Sequence, residues 1–119
     1  MAKKVDIEAS AEAEKIKAQV AKDAEYKAKY KVVAKVENTD DKGQPIVCYF
    51  KEPSRMAFSM ALSMVDSDPV QMCEILFNDT VVREISDWEI FSADNKLFYS
   101  LIRPLQNLAQ VKKSTFTTL

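Results

Sequence analysis

The sequence predicts an α+β fold that is mainly helical: an N-terminal helical arm, a β-hairpin and then three helices. Three observations point to it. Across residues 8–31, 17 of 24 positions are Ala, Glu or Lys, with no Gly or Pro, and these are strong helix formers. From Lys31 onward the apolar spacing changes from helical to two, on both sides of the only glycine, Gly43. Beyond Pro53, helix-start signals recur ahead of apolar runs at helical spacing. A chain of 119 residues, against about 100–200 per domain, fits an arm over 1–31 and one core domain over 32–119.

The arm carries (i, i+4) pairs with acid before base, Asp23 with Lys27 and Glu25 with Lys29, and (i, i+3) pairs at Glu12–Lys15 and Glu14–Lys17. Its apolar stripe is thin: Ile16 and Val20, then Tyr26 and Tyr30, padded by Ala9, Ala13 and Ala24. So narrow a stripe buries little, and a helix without tertiary contacts is marginal. Two readings stay open, a solvated helix and a partner-binding arm.

The hairpin is expected over 32–51. In its first strand Val32, Ala34 and Val36 share one face and Val33, Lys35 and Glu37 the other. The second runs from Pro45 to Lys51 with Ile46, Cys48 and Phe50 opposite Val47 and Tyr49. Between them Asn38–Gln44 collects turn formers, with Gly43 to supply positive φ and Asp40 and Asp41 to bond backbone amides. A two-stranded hairpin needs helices against it.

Three helices are predicted, over about 53–65, 69–78 and 93–112. Pro53 suits a first turn, with Ser54 as cap. Ser67-Asp68-Pro69 places an N-cap and an N1 proline, and Gln71 sits at the capping-box position. Residues 80–91 follow neither period and read as an irregular connection, with a short helical turn at 86–89. Ser92 or Asp94 opens the last helix, whose line is Leu97, Leu101, Leu105 and Leu108. Pro104 falls inside it, so a kink is expected. Residues 114–119 read as extended or frayed.

Composition bounds the chemistry. Lys plus Arg total 17 and Asp plus Glu 18, so no basic excess exists for a nucleic-acid backbone. There is no histidine, which removes the Ser-His-Asp and Cys-His arrangements and His metal ligands. One glycine excludes phosphate-binding glycine loops. Asp40 and Asp41 read as solvated turn residues, and Asp66, Asp68 and Glu74 as charges that favour a helix start. No enzyme activity, cofactor, metal or small-molecule substrate is therefore expected. Cys48 and Cys73, with no CxxC between them, read as buried small hydrophobes, with a structural disulfide as the alternative. The N-terminal residues hold no apolar signal region and no run approaches about 18 apolar residues, so a cytoplasmic protein without a membrane partner is expected.

The candidate residues are apolar ones. Met56, Met60 and Met64 recur at (i, i+4), with Met72 nearby. Flexible, polarizable Met fills cores and also lines adaptable binding surfaces, and both readings stand. Trp88, the only tryptophan, sits between Asp87 and Glu89, as an interface anchor or a lid on the core. Met56, Met60, Met64 and Trp88, with Ile16 and Val20 of the arm, form the proposed partner-binding set.

The order Val47-Cys48-Tyr49-Phe50-Lys51-Glu52-Pro53-Ser54-Arg55, then Ala61-Leu62-Ser63, Ser67-Asp68-Pro69, Glu74-Ile75-Leu76 and Leu105-Gln106-Asn107-Leu108, resembles the small tail assembly chaperones of long-tailed phages and prophages. The resemblance spans about residues 44–113. It departs from those proteins at Asn78–Ile85, where they carry Trp and Gly and this chain has neither; the Ala/Lys/Glu arm is also outside their pattern. It implies a non-enzymatic protein that coats the tape measure protein in the host cytoplasm, self-associates into rings or spirals, and in a longer frameshifted form recruits tail tube protein. The alternative is a small structural virion component anchored through its N-terminal helix.

Overall fold

A computed structural model describes the backbone of residues 2–119 and the side chains from residue 13 onward; the predicted Glu12–Lys15 pair and Ala9 lie outside the described side chains. Elements run α1 (Ala2–Tyr30), β1 (Val32–Thr39), β2 (Pro45–Lys51), α2 (Arg55–Met64), α3 (Pro69–Thr80), a 3-10 turn (Arg83–Ile85), α4 (Trp88–Ala93), α5 (Asn95–Tyr99) and α6 (Ile102–Leu108). The fold is α+β and mainly helical, with one antiparallel hairpin among the described residues. Two compact units are distinguished, Met1–Val32 and Val33–Leu119.

The first unit is α1. It ends at Tyr30, and Lys31 takes φ 58, the left-handed position that terminates many helices and usually falls to glycine. Within it Gln19 Nε2 donates to Asp23 Oδ1 at 2.9 Å, and Tyr26 and Tyr30 meet edge to face at 6.1 Å.

In the second unit the hairpin closes as its turn residues require. Gly43 has φ 76, and Asp40 Oδ1 accepts from Lys42 N at 2.9 Å and Gln44 N at 2.8 Å. Ala34 and Val36 pack against the core, while Ile46, Cys48 and Phe50 of β2 lie within it. The starts of α2 and α3 are closed by side-chain caps. Ser54 Oγ accepts from Ala57 N at 3.2 Å, and Asp68 Oδ1 accepts from Gln71 N at 3.1 Å. Ser54 is held in turn by Asp79, which accepts from its N at 2.8 Å and its Oγ at 3.0 Å. That contact ties the start of α2 to the end of α3. Pro53 stands one residue before the cap, outside the helix rather than in its first turn.

The core centres on α3, whose Met72, Cys73, Leu76 and Phe77 meet β2, Phe91, Leu101 and Leu105. Phe77 sits between Phe50 at 6.3 Å and Phe98 at 5.6 Å, both edge to face, the favoured geometry for ring quadrupoles. α3 runs to Thr80, past the expected end near 78. Thr80 is fully buried, and its hydroxyl donates to Leu76 O at 2.6 Å.

Residues 81–87 form a packed connection with little regular structure, as expected, and they also seal the outer edge of β2. Phe50 and Val81 form an antiparallel bridge, and Val82 N donates to Tyr49 O at 2.9 Å. Tyr49 N donates to Ser86 Oγ at 2.8 Å. Val47 N donates to Asp87 Oδ2 at 2.9 Å, while Val47 O accepts from Asp87 N at 2.8 Å. The helical turn expected at 86–89 is instead α4, beginning at Trp88.

The long helix expected over 93–112 is two short ones. Asp94 caps α5, its Oδ1 accepting from Lys96 N at 2.9 Å. The chain then turns at Ser100–Leu101, and α6 stops at Leu108. Pro104 lacks the N–H that Ser100 O would receive and its ring would crowd that carbonyl, so the helix breaks there and proline falls in the first turn of α6. Leu101, Leu105 and Ala109 still reach the core. Residues 110–119 carry no regular structure and are exposed.

Asp87→Ala is expected to cost about 1–3 kcal/mol, since Val47 N–H loses its acceptor in a half-buried place, and Asp87→Asn less. Urea unfolding should show the loss as a lower midpoint at unchanged slope.

Candidate functional site

α2 decides where the methionines go. Its inward residues are Ala57 and Ala61, both buried; small side chains there let it lie close against α3. The bulk is therefore turned outward. Met56 is 76% exposed, Met60 44% and Leu62 38%, and Ser59 and Ser63 lie among them on the exposed part of the helix.

The predicted row of three methionines divides. At 3.6 residues per turn each (i, i+4) step advances the face by roughly 40°, so the row rotates by about 80° from Met56 to Met64. Met64 consequently falls in line with Ala57 and Ala61 and packs against the core. Met72 is wholly buried. The two readings of the methionines thus apply to different residues: Met72 and Met64 fill space, and Met56 and Met60 make an exposed apolar face.

The rest of the predicted set lies on other elements. Trp88, the first residue of α4, is half-buried against the core, and the Arg83 guanidinium stacks over its ring at 5.0 Å. Such a cation–π contact holds the indole in place, and Ile90 beside it is 40% exposed. Ile16 and Val20, on α1, are 64% and 62% exposed. The six residues are thus distributed over α1, α2 and α4.

A cleft of about 260 Å³ lies beside α3 and α5, with Val70, Phe77 and Phe98 as apolar walls and Glu74, Asn78 and Tyr99 among its polar ones. Glu74 is its sole carboxylate, and no lysine or thiol lines it. Among the described residues no group of three or more His, Cys, Asp or Glu could hold a metal ion, and no helix is long and apolar enough to cross a membrane. The residues the sequence passed over are Ser86, Asp87 and Asp79, whose work is structural and whose partners lie 25 to 40 positions away in the chain.

Compared with known proteins, the chain matches no family model, no curated protein and no solved structure.

Cys48 and Cys73 are free and wholly buried. Burial pushes both thiols up from 9.0 to about 12, with Asp87 adding to the rise at Cys48 and Glu74 at Cys73. A thiol that stays protonated is a poor nucleophile. Iodoacetamide should leave both unmodified in the folded protein and label both in urea. The raised values also make folding favour the protonated form, so this contribution is complete below about pH 9 and is lost as pH rises toward 12. Replacing both cysteines by alanine should flatten that part of the alkaline stability profile, read by urea midpoints.

Proposed function

We propose that this chain acts by holding other proteins and not by catalysis: a phage tail assembly chaperone that binds the tape measure protein in the host cytoplasm and self-associates during tail assembly. The observation that carries the reading is the outer face of α2. Met56 and Met60 are exposed on a helix whose inner side is alanine, so apolar, adaptable surface is presented where a polar residue would cost the core nothing. Long side chains with three rotatable bonds fit irregular partners, and a long helical client offers anchors at i, i+3, i+4 and i+7 for such a face. Trp88 and Ile90 supply a second, more rigid apolar element. The order of motifs over residues 44–113 supports the same reading through the resemblance described above.

The test is co-purification with a tape measure fragment. Met56→Asp with Met60→Asp should weaken capture by at least about 30-fold, a loss of about 2 kcal/mol typical of a binding centre. Melting should change little, since both residues are exposed, whereas Met64→Asp should lower it strongly. Equal capture by the double variant would overturn the reading. So would recovery of the chain in purified particles, which would assign it to the virion structure.

A further inference from the structure

The cleft beside α3 and α5 holds polar groups that the fold does not use. Glu74 and Asn78 stand four residues apart, so they share one side of α3, and Asn95 and Tyr99 repeat that spacing on α5. All four are exposed. Among the described residues, none of their side chains makes a hydrogen bond or an ion pair. The wall is aromatic: Phe98 stands between Phe77 at 5.6 Å and Tyr99 at 6.4 Å. The Glu74 carboxylate is the one charge in the lining, and no cation there answers it.

These properties select a guest. A carboxylate calls for a cation, and ring surface favours one that is flat and weakly hydrated. The carboxylate and both amides of the lining, with the Tyr99 hydroxyl, offer several acceptors; a guanidinium carries five donors in one plane, an ammonium only three. The volume, about 260 Å³, lies below the range of about 300–1,000 Å³ found for drug-sized ligands and suits a single side chain.

We propose that this cleft receives an arginine side chain of a partner protein, its guanidinium on the Glu74 carboxylate and against the rings of Phe98 and Tyr99. Charge-assisted bonds to a carboxylate are the stronger kind, and arginine is a frequent anchor at the centre of protein interfaces. The site depends neither on the α2 methionines nor on the identity of their client.

The experiment titrates the full chain with N-acetyl-arginine N-methylamide and follows it by NMR. Backbone amides over 74–78 and 95–99, with the side-chain amides of Asn78 and Asn95, should shift together and saturate with a Kd on the order of 1 mM. The citrulline counterpart, similar in shape but neutral, should bind about fivefold more weakly or worse, and the lysine counterpart several-fold more weakly. Glu74→Gln should weaken the arginine compound about fivefold or more, with melting unchanged because Glu74 is exposed. Tyr99→Leu, which removes a ring and keeps the charge, should weaken it several-fold. Equal binding of the three compounds would overturn the proposal, as would shifts that never saturate or that Glu74→Gln leaves in place. Tighter binding of free arginine than of the capped compound would also overturn it, by giving the cleft to a small molecule instead of a protein.

Discussion

Four backbone groups of β2, the N–H and C=O of Val47 and Tyr49, are satisfied by a segment that is not itself a strand. A two-stranded hairpin has little stability of its own, and an open edge beside a buried core would leave polar groups without water. Here Val82 N, Ser86 Oγ, and the backbone and carboxylate of Asp87 stand in for a third strand. Because Asp87 also precedes Trp88, the same residue that closes the strand starts α4. That puts Phe91 in the core, where it meets α3 and α6 residues. The order of the C-terminal helices thus follows from how one strand edge is closed.

The same core sets the character of the surface. Ala57 and Ala61 are the fully buried residues of α2, and of its methionines only Met64, at its end, packs against the core. Met56, Met60 and Leu62 stand on the outside. Ser54 and Asp79 fasten the helix at its start, so its face is set by the fold rather than by the residues on it. A rigid helix bearing pliable side chains suits contact with a partner of irregular shape.

Much of this architecture was legible because it is encoded locally. Gly43 and Asp40 specify their turn, Ser54 and Asp68 cap the helices they precede, and the change of spacing after Lys31 marks the strands. What could not be read depends on distant partners. Ser86 and Asp87 bond residues 37 and 40 positions away, so nothing in their own neighbourhood announces an edge seal. The break at Ser100–Leu101 was masked because Leu97, Leu101 and Leu105 keep helical spacing across it, and all three pack on one core. Proline read as a kink marks instead the first turn of a new helix. The methionine row hid its division for a geometric reason, since equal spacing in sequence does not keep three residues on one face.

Beyond Ala109, the last core residue, ten residues run out without regular structure. Fully extended, they span at most about 33–36 Å. A fluorophore, tag or fused domain placed beyond these residues would stand clear of the core and leave Leu105 and Ala109 seated. Force applied at that end would meet its first resistance at α6, a helix of seven residues that is too short to hold without the core behind it.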